Sequence, residues 1–239
     1  MQTATEGAHK GYLPALLTNN QLKILAMAAM TADHVGLQLL PQYDILRIIG
    51  RLAFPIFAYM IAEGCRYTRN RKKYLLTLAV MAALFQLVYF VAMDSLYQGI
   101  FVTFTLSVSL IFAIDLAREK KSAPAVLTAV GVFAVIFAAC VLLPAVWTGT
   151  DFAVDYDLWG VLLPVAVYYA PGRLWKLAGT AVCLVLLSLT WGMPQWYSLL
   201  ALIPLACYNG QRGKWRMKNL FYIYYPAHLV AIYLLDMLL

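Results

Sequence analysis

The sequence predicts an all-α, polytopic membrane bundle of about nine transmembrane helices, within a range of about eight to ten, and three observations lead there. Hydrophobic residues make up 63% of the 239 and charged residues 12%, which leaves too little polar surface for a soluble fold of this length. Apolar runs recur at lengths near the roughly 20 residues that a helix needs to cross a hydrocarbon core of about 30 Å. Basic residues gather in every second connection, the asymmetry that orients membrane helices.

The expected spans lie near 21–40, 46–64, 74–93, 99–117, 124–146, 157–170, 174–191, 194–208 and 219–238. The segments 157–170 and 194–208 are short enough to be tilted, partial or re-entrant. Arg66, Arg69, Arg71, Lys72 and Lys73 follow the second span, Arg118, Lys120 and Lys121 the fourth, Arg173 and Lys176 border the sixth and seventh, and Arg212, Lys214, Arg216 and Lys218 follow the eighth. The intervening loops carry Asp44, Asp94 and the trio Asp151, Asp155 and Asp157. The basic loops and the N-terminus are therefore expected in the cytosol and the C-terminus outside. The first twenty residues lack an apolar core followed by a cleavage site. They are expected to be a loosely held cytosolic segment, 1–20, ahead of one transmembrane domain, 21–239, whose first apolar run is an uncleaved anchor. This topology accounts for the net charge of +7, and the chain offers no basic-aromatic module for nucleic acid. Cys65, Cys140, Cys183 and Cys207 show no CxxC spacing and read as packing residues, with no metal site expected.

Several polar residues stand where hydrocarbon disfavours them. Asp33 and His34 fall inside the first span, where an Asp costs about 2.5 to 3.5 kcal/mol on insertion scales, so they should face a cavity, a partner or a substrate path. Arg47 and Arg51 sit near the outer end of the second span, against the basic-loop rule, and their i, i+4 spacing puts both on one helix face. Arg51 should lie about 7 Å below that outer end and His34 about 20 Å above the inner end of span one, depths that nearly coincide. The cluster reads either as a structural salt bridge or as a polar pocket in which an arginine stabilises an oxyanion or orients Asp33. Lys23 precedes His34 by eleven residues, so the two share a helix face within about 20° and stand roughly 16 Å apart along the axis. A ligand with an anionic head and a long arm, such as coenzyme A, fits that separation. His228, in the last span, follows Pro226, which is expected to interrupt the helix. Glu63 at the inner end of span two reads as a base, a Lys23 partner or a helix-end charge.

The segments Leu22-Lys23-Ile24-Leu25-Ala26, Asp33-His34 and Arg47 through Tyr59 resemble the TraX family. Further matching landmarks follow in order: Glu63-Gly64, Thr68-Arg69-Asn70, Lys73-Tyr74, Asp155-Tyr156, Gly160-Val161, Tyr208-Asn209-Gly210 and Phe221 through His228. TraX proteins are associated with N-terminal acetylation of conjugative pilin and resemble a wider superfamily of transmembrane acyltransferases. In the acyltransferase-3 branch of that superfamily, a basic residue, ten intervening residues and a catalytic histidine mark the first helix. Lys23 and His34 match this spacing, with lysine where arginine is usual.

The resemblance implies an acyl-CoA-dependent acyltransferase of the bacterial cytoplasmic (inner) membrane, transferring acetyl from acetyl-CoA to an amine or hydroxyl acceptor, with membrane lipids as its surroundings. His34 is then the base or transient acyl carrier, with Asp33 setting its tautomer. Lys23, Arg66, Arg69 and Lys73 receive the coenzyme's phosphates, and Arg47, Arg51, Glu63, Tyr225 and His228 hold substrate or charge. Two other classes stay open from the residues alone. Embedded Asp and His also suit a proton-coupled transporter, and a non-catalytic assembly protein would need none of the cluster.

Overall fold

The structure, a computed structural model, describes residues 16–214 and 220–238. The segment 1–15, most of the expected loose N-terminal stretch, lies outside the described residues, as do Arg216 and Lys218. The described residues are helical, with only two isolated β-bridges, Leu17 to Tyr208 and Gln98 to Val154. The helices are α1 (Asn19–Gln38), α2 (Asp44–Gly50), α3 (Ala53–Tyr67), α4 (Arg71–Met93), α5 (Ile100–Lys120), α6 (Ala123–Phe137), α7 (Leu143–Val146), α8 (Asp157–Tyr169), α9 (Arg173–Trp191), α10 (Leu202–Ala206) and α11 (Leu220–Asp236). A π-helical turn, Ala138–Leu142, joins α6 to α7, and a 3₁₀ segment, Gln195–Ala201, leads into α10.

Among the described residues, five helical stretches are long and apolar enough to cross a membrane: Asp44–Tyr67, Arg71–Met93, Ile100–Lys120, Ala123–Val146 and Arg173–Trp191. The chain is thus a multi-pass membrane protein. The helix α1 is 20 residues long but is not among the five, because Asn19, Asn20, Gln21, Lys23, Asp33 and His34 dilute its apolar content. The segments 157–169 and 195–206 are helical but short, as their sequence lengths predict.

Local chemistry explains the element boundaries. Thr18 and Gln21 close a reciprocal capping box on α1, the Gln21 amide donating to the Thr18 side chain while the Thr18 amide donates to Gln21 Oε1 at 2.8 Å. Asn70 caps α4 by accepting the Lys73 amide at 2.8 Å. The π-helical turn lies just before Pro144, whose ring lacks an N–H and crowds the carbonyl of Cys140 four residues earlier. Pro226 does not interrupt α11 as the sequence suggests. The helix runs through it, and what is lost is the single hydrogen bond that its missing N–H would have given to the Tyr222 carbonyl.

The segment Asp44–Tyr67 is the central post. Buried residues make up 67% of its apolar window, against 6% for α4 and 11% for the α6–α7 rod. Ile56 within it and Leu22, Phe104, Ile111, Leu163 and Leu184 around it are fully enclosed. Lipid tails are as apolar as leucine, so the bundle gains from close packing and from polar contacts between helices rather than from hydrophobic burial alone. Ser107 shows the second kind, its hydroxyl lying 2.8 Å from the Val161 carbonyl of α8.

Side chains tie the basic turns to one end of the bundle. Lys176 pairs with Glu63 at 2.6 Å, Arg71 with Asp115 at 2.9 Å, and Arg66 donates to the carbonyls of Tyr168 and Ala170 at the end of α8. The start of α1 joins the same end, since the Leu17 amide donates to Cys207 O and the Asn19 amide to Gln211 O. The acidic loops meet at the other end, where Leu96 N donates to Asp151, Tyr97 to Asp155 and Trp191 to Asp157.

Glycines set the approach of α1 to α2. A Cβ on Gly36 would meet Leu46 Cβ at 2.6 Å, and one on Gly50 would lie 2.2 Å from Asp33 Oδ1. A Cβ on Gly131 would meet nothing within 4 Å. Gly50→Ala should therefore cost about 1 to 3 kcal/mol and lower the unfolding temperature in detergent, while Gly131→Ala leaves it unchanged or raises it. Equal midpoints for the two variants would remove the close α1–α2 contact from the account.

Candidate active site

The two arginines that stand against the basic-loop rule meet the acid that stands against the lipid rule. Asp33 Oδ2 lies 2.9 Å from Arg47 Nη1, and Oδ1 lies 2.7 Å from Arg51 Nη2. Arg47 also donates to the Asp33 carbonyl at 3.2 Å. The i, i+4 spacing delivers both guanidinium groups to one carboxylate, and Gly50 leaves room for it. Arg51 is only 8% exposed and extends a second, longer contact to Gln195 Oε1 at 3.5 Å, while its Nε finds no acceptor among the described residues. Removing one partner of such a buried pair costs about 3 to 5 kcal/mol, because the other charge is left uncompensated.

Both oxygens of Asp33 face arginines, so the expected role of orienting His34 passes to another residue. Adjacent residues on a helix point about 100° apart, and here that divergence decides the outcome. His34 Nδ1 instead lies 2.8 Å from His228 Nε2, brought across by α11. The other nitrogen of His228 is 2.9 Å from the Tyr224 carbonyl. Tyr225 stands edge-on to His34 with ring centres 6.4 Å apart, and Tyr224 stacks on His228 while its hydroxyl bonds Thr31 of α1.

Of these groups, Asp33, His34 and Tyr225 border a cavity of about 70 Å³ whose lining also includes Gly50, Phe54 and Tyr156. Asp155 is a further wall residue, although its position in the sequence is that of an outer acidic loop. The loop before α8 folds inward, held by Tyr97 donating to Asp155 Oδ1 at 2.6 Å and by Thr103 donating to the Asp155 carbonyl at 2.6 Å. Tyr156, at φ 61°, turns into α8 and stacks on Phe54 at 3.7 Å. Burial pushes the Asp155 carboxyl up to about 7, opposed by the Tyr97 hydrogen bond and by Arg51, with Asp157 and Asp33 adding to the rise. The sequence signal for these residues was the Asp155-Tyr156 landmark; nothing in its local composition distinguished it from a solvated turn.

The remaining candidates lie elsewhere. Lys23 is half-buried, and its charged neighbour is Arg212. Glu63 pairs with Lys176 rather than Lys23, and Tyr208 donates to its second oxygen at 3.4 Å. Arg66 is committed to the α8 carbonyls and sits over the Tyr168 ring at 5.7 Å. Arg69 and Lys73 are exposed, with no ion pair among the described residues. All four cysteines are free thiols, and among the described residues no three His, Cys, Asp or Glu side chains converge as metal ligands.

Comparison with known proteins places this arrangement. A probable fimbrial assembly protein FimC, serogroup H1, of Dichelobacter nodosus is 29% identical over 241 residues, covering 89% of this chain and 93% of that protein. The uncharacterized protein RP591 of Rickettsia prowazekii (strain Madrid E) is 57% identical over 44 residues, 18% of each chain. No solved structure matches significantly. The family profile described as TraX protein matches residues 18–236, from the cap of α1 to the end of α11, and so takes in every residue that borders the cavity. The chain belongs to the TraX family.

Proposed function

We propose that this TraX-family chain is an acyltransferase of the bacterial cytoplasmic membrane, with about nine spans and the basic end in the cytosol, moving an acetyl group from acetyl-CoA to an amine or hydroxyl acceptor. The observation that carries the reading is one small cavity bordered by an imidazole and by the carboxylate of a doubly paired arginine clamp. A volume of about 70 Å³ suits the acyl group and the attacking atom but not a coenzyme, which must extend away from it. A fimbrial subunit is one acceptor consistent with the name of the Dichelobacter relative.

The chemistry runs through the chain's own residues. The acceptor's N–H or O–H lies against His34, which takes the proton as the new bond to the thioester carbon forms. Charge developing on the carbonyl oxygen is offset by the net positive charge of the Arg47–Asp33–Arg51 set beside the cavity. Collapse breaks the C–S bond, the electron pair leaves on sulfur, and the imidazolium returns the proton to give free thiol. Asp33 holds the guanidinium groups in place and offsets their charge. Lys23, Arg212, Arg69 and Lys73 remain available to phosphate at the basic end, whereas Arg66 is spent on the α8 carbonyls.

Calorimetry with acetyl-CoA, coenzyme A and ATP, alongside thiol release, tests this. Lys23→Ala should weaken acetyl-CoA binding roughly tenfold or more, the worth of one charge-assisted contact. His34→Ala should keep binding and lower thiol release by about 10² to 10⁴-fold. Failure of folded wild-type protein to bind any coenzyme A species would overturn the acyltransferase reading in favour of proton-coupled transport, for which the paired histidines would be the observation.

Asp155 gives a pH signature. Its folded value lies above that of an unfolded carboxylate, about 3.9, so the folded state binds the extra proton and stability falls as pH rises from about 4 through 7. Asp155→Asn keeps an acceptor for Tyr97 and stays neutral. Unfolding midpoints between pH 5 and 8 should fall less steeply in that variant than in wild type, and parallel profiles would show that Asp155 is not the group involved.

A further inference from the structure

His228 makes a hydrogen bond at each of its ring nitrogens, and the two bonds are chemically unequal. Nδ1 lies 2.9 Å from the Tyr224 carbonyl oxygen, which can only accept. That nitrogen therefore carries the hydrogen, and in neutral His228 the Nε2 atom is bare. Nε2 in turn lies 2.8 Å from His34 Nδ1. Two bare nitrogens at that distance would repel, so His34 Nδ1 must be the donor. A neutral imidazole carries one ring hydrogen, which leaves Nε2 of His34 with an open lone pair on the edge of the ring away from His228.

We infer that His228 is a positioning residue that locks His34 in its Nδ1–H tautomer, so that Nε2 is the atom that takes the acceptor's proton. The lock is a backbone carbonyl acting through two imidazoles, built from α11 and directed at α1. It fills the place that a carboxylate commonly holds behind a working histidine, and it does so because Asp33 is fully engaged by Arg47 and Arg51. Packing holds the pair in register. Tyr224 stacks on the His228 ring and its hydroxyl anchors to Thr31 one turn before His34, while Tyr225 meets both imidazoles edge-on. When His34 gains a proton at Nε2, the Nδ1–H bond to His228 stays in place and strengthens, since its donor is now charged.

The inference rests on the acyltransferase reading only for the use made of Nε2; the tautomer itself needs no substrate. The chain has three histidines, His9, His34 and His228, so a protein labelled with ¹⁵N-histidine in nanodiscs gives a spectrum assignable by subtraction with His9→Gln and His34→Gln. Expected for wild type is neutral His34 with hydrogen on Nδ1 and a bare Nε2. His228→Gln supplies a side-chain oxygen in place of the bare nitrogen and should keep that form, whereas His228→Leu should shift hydrogen to Nε2. Thiol release from acetyl-CoA should fall about tenfold to a hundredfold in the Leu variant with the KM for acetyl-CoA unchanged, and recover in the Gln variant. Hydrogen on Nε2 of His34 in wild type, or an imidazolium, overturns the inference, and the wild-type spectrum decides the matter even if His228→Leu does not fold. An intact Nδ1–H tautomer in a protein that ignores acetyl-CoA would overturn the acyltransferase reading alone.

Discussion

The Asp33 carboxylate shared by Arg47 and Arg51 is the contact on which the rest of the site depends. Two guanidinium groups inside an apolar bundle are tolerable only if their charge is met, and a single carboxylate leaves the set with one net positive charge. The contact also brings α1 against α2 at a separation that Gly36 and Gly50 alone permit. Once that separation is set, His34 lies one residue beyond the clamp and about 100° around the helix, facing away from the arginines toward α11. In the proposed reaction, charge stabilisation and proton transfer thereby fall to different side chains, with no competition for the same carboxylate.

Closure of the cavity requires segments distant in sequence. The loop before α8 folds in through Asp155 and Tyr156, and α11 supplies Tyr225, with His228 bonded to His34 behind it. The inward fold of that loop is held by the Tyr97 and Thr103 hydroxyls, and the Tyr97 hydrogen bond opposes the rise that burial imposes on the Asp155 carboxyl. The left-handed turn at Tyr156 lets its ring stack on Phe54 of the central post.

The basic end is built on a different principle. Glu63 with Lys176, and Asp115 with Arg71 and the Tyr168 and Tyr169 hydroxyls, join α3, α4, α5, α8 and α9 through hydrogen-bonded charge. Such pairs fix helix register where lipid packing offers little discrimination between neighbours. They also remove Arg71 and Lys176 from the pool of cations open to an anionic ligand, as the α8 carbonyls remove Arg66. Cations in one sequence cluster thus divide into those that hold the bundle and those that face outward.

The sequence by itself determined the helical membrane class, the positions of the helical segments, the alternation of basic and acidic ends, and the pairing of Arg47 and Arg51 on one face. Each follows from local rules, the length of an apolar run, the sign of a loop or a spacing of four. It also singled out Asp33 and His34, because charge in an apolar run is costly wherever the helix sits. Only the tertiary structure decided that Asp33 belongs to the arginines and that His34 belongs to His228, 194 positions away. It likewise decided that Glu63 meets Lys176 and that Asp155 leaves its acidic loop to border the cavity. Partner choice depends on the rotation of each helix and the path of each connection, and neither is written in hydropathy or spacing.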